Sequence, residues 1–195
     1  IPTVIDRIIQ QAIAQVLIPI YEPKFSDGSY GYRPHRSAKD AILKVKEYAD
    51  EGYKYAVCLD LSKYFDTLNH ELLMNMLREE IKDKRLIDLI KKYLKSGVME
   101  NGIVMKTKEG SPQGGNLSPL LANIYLDKFD KEFESRGVKV IRYADDILLL
   151  AKSMRAAERL LGTSTAYLEK KLKLKVNTEK SRAVSVYSIQ NVGFS

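Results

Sequence analysis

Two apolar runs enclose a pair of adjacent carboxylates: Val138, Val140 and Ile141 lead in, Asp145-Asp146 follow, and Ile147 to Leu150 lead out. Apolar character this continuous marks strands covered on both faces, which is the last place a bare charge settles. The two runs must therefore meet at a turn, and only its tip can be wet. Neighbouring carboxylates at such a tip repel each other, and a polyvalent cation held by oxygen ligands relieves the repulsion, Mg2+ being the commonest case. An Asp-rich turn without a ligand would have the same sequence, since Asp tolerates left-handed backbone. The pair alone leaves both readings open.

Charge narrows the partners. Lys and Arg total 32 against 25 Asp and Glu, a formal net charge of +7 over 195 residues, which favours a polyanion, nucleic acid ahead of an anionic membrane surface. An apolar fraction of 45% supports one folded core with at most a small second lobe. No stretch approaches the roughly 18 apolar residues of a membrane span, and no signal-peptide pattern opens the chain. A soluble, intracellular protein with no membrane partner is expected. Cys58 is the only cysteine, so an internal disulfide is excluded, and it reads as a small buried hydrophobe. Because the chain opens on Ile1 and closes just after a strand-like segment, it is expected to be a piece of a longer protein.

Ile5, Ile8, Ile9, Ala12, Ile13, Val16 and Leu17 recur at the helical period and predict a helix over 3–18, stopped by Pro19. Residues 21–36, dense in Gly, Pro and aromatics, predict a structured loop. Ser37 with Asp40 is a weaker relative of the capping box and opens a helix with Ala41, Ile42, Val45, Tyr48 and Ala49 as its apolar stripe. Gly52 ends it, and Tyr55-Ala56-Val57-Cys58-Leu59-Asp60 reads as a buried strand with an acid at its carboxyl end. Further helices are predicted near 70–80, 84–95, 118–135 and 154–172, a hairpin over 97–108 around Asn101-Gly102, and a last strand near 183–188.

From residue 54 the core order is strand, helix, strand, strand, helix, strand, with helices and a hairpin inserted after the first strand. That is the split βαβ pattern of an α+β fold. In such a sheet the carboxyl end of the first strand lies beside the turn joining the second and third, so Asp60 is expected to face the Asp145-Asp146 turn. Three carboxylates meeting there can hold two divalent cations roughly 3.5–4 Å apart, the arrangement that clamps both oxygens of an in-line phosphoryl displacement. Nucleotidyl transfer is the chemistry this would serve.

Four blocks, in order, resemble reverse transcriptases encoded by group II introns: Gly31-Tyr32-Arg33-Pro34-His35-Arg36-Ser37, Asp60-Leu61-Ser62-Lys63-Tyr64-Phe65-Asp66 with Asn69-His70 beyond, Gly110 to Pro119, and Tyr143-Ala144-Asp145-Asp146. They span nearly the whole chain. The resemblance implies a polymerase palm with a βαββαβ-type antiparallel sheet packed on helices, plus a partial helical fingers lobe. It places partial fingers at 1–52 and palm at 53–195, with a fingers-type insertion at about 70–110, the thumb and maturase regions lying outside the chain. It also implies two Mg2+ ions on Asp60, Asp145 and Asp146, with Asp146 contributing to only one site. Phe65 takes the place of an aromatic gate beneath the nucleotide sugar, and Gln113 sits in a glycine-rich loop near the nucleotide. Arg33 and, a little less favoured, Arg36 belong to a loop closing on its phosphates, where planar guanidinium forks bind bidentately. Lys180 takes the place of a lysine beside the triphosphate.

The implied partners are group II intron RNA, an RNA template with a DNA primer, and deoxynucleoside triphosphates. The implied activity is RNA-directed DNA synthesis within a maturase that also serves splicing and mobility. Lys84, Arg85, Lys91, Lys92 and Lys95 on one helix, and Lys170, Lys171, Lys173 and Lys175, offer phosphate contacts, although solvated helical faces look the same. His35 and His70 lack a second His at ligand spacing and read as structural. Exposed Tyr30 and Tyr32 leave a homodimer open. Two other readings stand beside the polymerase: an RNA-binding splicing cofactor with an idle centre, and a palm-type nucleotide cyclase, which the Gly110 and Arg33 blocks fit poorly.

Overall fold

A computed structural model describes residues 3–95, 98–100, 103–105, 109–111 and 115–187. In chain order the elements are α1 (Val4–Tyr21), a 3-10 turn (Glu22–Lys24), α2 (Ala38–Asp50), β1 (Tyr55–Leu59), α3 (Tyr64–Thr67), α4 (His70–Glu80), α5 (Lys84–Lys95), β2 (Val98–Glu100), β3 (Ile103–Met105), α6 (Ser118–Ser135), β4 (Lys139–Tyr143), β5 (Asp146–Ala151), α7 (Met154–Lys170) and β6 (Arg182–Ser185). The Asn101-Gly102 turn, Gln113 and the end of the expected last strand fall outside the described residues.

The chain divides into two compact units, Ile1–Lys24 with Lys63–Tyr125, and Phe25–Ser62 with Leu126–Ser195. In the first, Thr3 and Asp6 form a reciprocal capping box that starts α1. The expected stop at Pro19 is corrected: Pro19 lies inside the helix, because buried Leu17 and Tyr21 hold the last turn and the Glu22 N–H reaches the Ile18 carbonyl. Helices α4 and α5 pack together, and Leu73, Leu77, Ile87, Ile90 and Leu94 are among their buried residues. The five predicted basic residues of α5 line its exposed side. Strands β2 and β3 pair antiparallel as the hairpin pattern predicts.

The second unit holds a four-stranded antiparallel sheet in the order β4-β5-β1-β6. One face carries α2: Ala41, Val45 and Ala49 sit against Ala56, Ile141, Leu148 and Leu150, with Cys58 packed at the margin as a small hydrophobe. Burial raises the Cys58 thiol pKa, as suits a packing role rather than a reactive one. The loop after the 3-10 turn joins the sheet edge, with the Tyr30 N–H donating to the Arg142 carbonyl and the Arg142 N–H to the Gly28 carbonyl. Residues 25–52 therefore cluster with the sheet. Tyr30, expected to be exposed, is part of this core; Tyr32 is exposed. On the remaining helices, Phe129 and Phe133 of α6 each meet the Tyr167 ring of α7 edge to face. No helix among the described residues is long and apolar enough to cross a membrane.

Candidate active site

The strand register assembles one end of the sheet. β1 and β5 pair down to Leu59 opposite Ile147, so Asp60 and Asp146 stand at facing strand ends one step further on, and Tyr143 opposite Asp146 closes the β4–β5 hairpin around Ala144 and Asp145. All three acids are half-buried at this end. Their side chains do not gather into a cage, since among the described residues no three His, Cys, Asp or Glu come together as a ligand group. Asp60 is turned to the Lys180 ammonium, 3.8 Å away.

Asp60 is fixed through its backbone by the 175–181 segment. Its N–H donates to the Ser181 hydroxyl at 3.0 Å, its carbonyl accepts from the Asn177 N–H at 2.9 Å, and the Ser62 N–H reaches the Lys175 carbonyl. The block that carries Lys180 is therefore the same one that positions Asp60. The Lys180 side chain is 71% exposed, and an ion pair so exposed contributes little stability.

A buried ion pair holds the hairpin tip. Arg142 and Asp130 are both 0% exposed; Arg142 Nε and Nη2 donate to the Asp130 carboxylate at 2.7–3.0 Å, Nη2 also to Ser29 Oγ, and Nη1 to the Ala144 carbonyl at 2.8 Å. Burial raises the Asp130 carboxyl pKa above its ordinary value, against the pull of the guanidinium. Ala144 has φ 57, a left-handed conformation that a residue with a Cβ adopts only under constraint. The constraint comes from both sides, because Gly31 packs so tightly on the turn that a Cβ there would lie 2.1 Å from the Ala144 nitrogen. Gly31→Ala is accordingly expected to push the turn out, costing about 1–3 kcal/mol as overpacking does. Thermal unfolding of the variant would check it; a wild-type melting temperature would show the turn to be free to shift.

The remaining predicted residues are distributed unevenly. Arg33, 9% exposed, donates from Nη1 to the carbonyls of Ser26 and Ser29 and lies over the Phe25 ring at 5.3 Å. These bonds tie it to its own loop. Arg36 is more open, bonded to Asp27 and resting over Tyr30. In the other unit Phe65 is half-buried against Tyr64, its carbonyl accepting from Ser111, and His70 Nε2 meets the Gly110 carbonyl at 2.6 Å, a structural role. His35 is exposed at φ 58.

Sequence reasoning missed Asp130, Arg142 and Tyr32. Tyr32 neighbours Asp145, whose charge, after burial, raises the phenol pKa. A signal for the pair did exist: Arg142 interrupts a strand covered on both faces, and Asp130 falls on the apolar face of α6 between Leu126, Phe129 and Phe133. Two opposite charges in apolar surroundings require each other.

With this geometry established, comparison with known proteins is informative. The family model for reverse transcriptase (RNA-dependent DNA polymerase) matches residues 1–195. The chain belongs to the reverse transcriptase family. Its relatives include the protein YkfC of Escherichia coli, 35% identical with 93% of this chain and 58% of that protein covered. The group II intron-encoded protein LtrA of Lactococcus lactis is 45% identical over 67% of this chain and 22% of its own length. This reverse transcriptase chain thus spans a little over half of one relative and about a fifth of the other. Solved telomerases of Candida tropicalis (TM-score 0.68, 15% identity, 92% of this chain and 37% of that one) and Candida albicans (0.65, 16%, 92% and 34%) share the fold.

Proposed function

We propose that this chain is the fingers–palm core of an RNA-directed DNA polymerase of the group II intron maturase type, joining deoxynucleoside triphosphates to a DNA primer on an RNA template and binding intron RNA in splicing and mobility. One observation carries the reading: Asp60 and Asp146 end adjacent antiparallel strands, and Asp145 occupies a turn locked from inside by Arg142. The donors are all carboxylate oxygens, hard ligands that fit Mg2+ better than softer metals. Asp60, Asp145 and Asp146 would hold two such ions, which when bound lower the pKa of the primer 3′-hydroxyl and neutralise the triphosphate. Lys180 Nζ, 3.8 Å from Asp60, would meet the same triphosphate and give a proton to departing pyrophosphate. Gln113 and Arg36 are assigned to nucleotide contacts, and the exposed cations of α5 to RNA phosphates.

The experiment is primer extension on an RNA template by wild type and by Asp145→Ala. Equal extension would overturn the reading in favour of an RNA-binding splicing cofactor. Phe65 has a separate test. A flat ring beneath the sugar excludes a 2′-hydroxyl by contact, so Phe65→Val is expected to raise ribonucleotide relative to deoxynucleotide incorporation by about tenfold, the scale on which one removed steric contact discriminates. An unchanged ratio would return the ring to packing against Tyr64.

A further inference from the structure

At the far end of the sheet from the three acids, cations and tyrosine rings alternate. Lys44 Nζ and Lys139 Nζ each lie 4.8 Å from the centre of the Tyr48 ring, and Lys139 and Lys152 lie 6.0 and 5.1 Å from the centre of Tyr53. Tyr48 and Tyr53 meet edge to face at 6.1 Å. The order along the strip is therefore Lys44, Tyr48, Lys139, Tyr53, Lys152. Lys139 opens β4, Lys152 follows β5 and Tyr53 precedes β1, so the length of the sheet, about 17 Å for five residues, separates the strip from Asp60.

Neutralisation along the strip is uneven. Lys44 is paired with Glu47 and Arg36 with Asp27. Lys139 and Lys152 have ring contacts alone and no carboxylate partner among the described residues, yet both converge on one ring. Solvated lysines of like sign ordinarily spread apart. Here the ring quadrupoles hold both ammonium groups in place, so an arriving anion finds fixed charges. Lys44, Lys139, Tyr48, Arg36 and Tyr30 also line a cavity of about 530 Å³, within the range that accepts a nucleotide-sized group. Two carboxylates share the lining, and both have partners: Asp27 is paired with Arg36, and Glu134 accepts from Ser26 Oγ.

We propose that the strip formed by Lys44, Tyr48, Lys139, Tyr53 and Lys152 is a second nucleic-acid site, gripping the phosphodiester backbone of an RNA strand that is not the one being copied. Ammonium groups over the tyrosine faces leave phosphate, rather than a stacked base, as the group recognised. The choice of RNA rests on the RNA-directed reading above; the site itself does not.

The test is equilibrium binding of a labelled, unstructured RNA, without primer and with divalent ions chelated, over a range of salt concentrations. Lys139→Gln/Lys152→Gln is expected to bind about tenfold more weakly. Its plot of log affinity against log salt should be shallower by roughly 1.4, about 0.7 for each lost phosphate contact on a single strand. Charge reversal, Lys139→Glu/Lys152→Glu, should lose more, and Lys39→Gln/Lys46→Gln, an equal charge change on exposed positions of α2, should leave the slope alone. An unchanged slope in the strip variant, or an equal loss in the α2 control, would overturn the proposal, as would loss of binding to phosphatidylserine vesicles with RNA binding intact. Wild-type primer extension run in parallel reports on the polymerase reading independently.

Discussion

Primer extension by Asp145→Ala is expected to fall about a thousandfold while the fold stays intact. The two halves of that expectation have different origins. Asp145 is half-buried in a turn, outside the apolar core, so removing its carboxylate empties no packed space, and stability should hold within about 0.5 kcal/mol, as for surface substitutions. The chemistry has no such tolerance, since a preorganised charge at a phosphoryl-transfer centre contributes about 10²–10³ in rate, and a metal ligand contributes both charge and position. Asp60→Ala should match it, with the further effect of releasing Lys180. Asp146→Asn, at the β5 end, should keep more activity and need more Mg2+, because an amide oxygen still coordinates but carries no charge. Single-turnover extension against a Mg2+ titration, with unfolding measured alongside, separates these outcomes. A thousandfold loss accompanied by unfolding would assign Asp145 to structure, and equal Mg2+ dependence in all variants would dissolve the idea of a shared metal site.

The sheet could be read from the chain because its strands are apolar on both faces and bounded by turns, so period and length left few alternatives for Tyr55–Leu59 or Asp146–Ala151. Pairing β1 with β5 followed from the strand order alone, and it sets Asp60 beside the hairpin. What the pattern could not give was contact at right angles to the chain. The blocks at 28–33 and 140–144 lie about 110 residues apart, and only folding shows Gly31 against the Ala144 backbone or Ser29 on Arg142. The Arg33 contacts are of the same kind. An arginine in a Gly-rich loop has the composition of a phosphate ligand, but its guanidinium closes on carbonyls of its own loop. Pro19 misled because the local rule against proline in a helix is outweighed when Leu17 before it and Tyr21 after it are both buried.

Removing Arg142 should damage the protein twice, and the two injuries can be told apart. In Arg142→Leu the Asp130 carboxylate keeps its buried site and loses its counter-charge, a change that costs about 3–5 kcal/mol when one partner of a buried pair is removed. The Ala144 carbonyl and Ser29 hydroxyl lose a donor at the same time, so the left-handed turn carrying Asp145 is no longer held. Adding Asp130→Leu takes the stranded charge away, and apolar replacement of a whole buried pair is often neutral or better for stability. The double variant should therefore recover most of the unfolding free energy. It should not recover extension, because nothing restores the bond to Ala144; kcat should stay low and the Mg2+ requirement raised. Arg142→Lys, keeping one charged donor but not the planar fork, should fall between. Denaturant unfolding and Mg2+-dependent extension on the same four proteins decide the matter. If the double variant regains both stability and activity, the guanidinium serves only to neutralise Asp130, and the position of the Asp145 turn is set by Gly31 and the strand register alone.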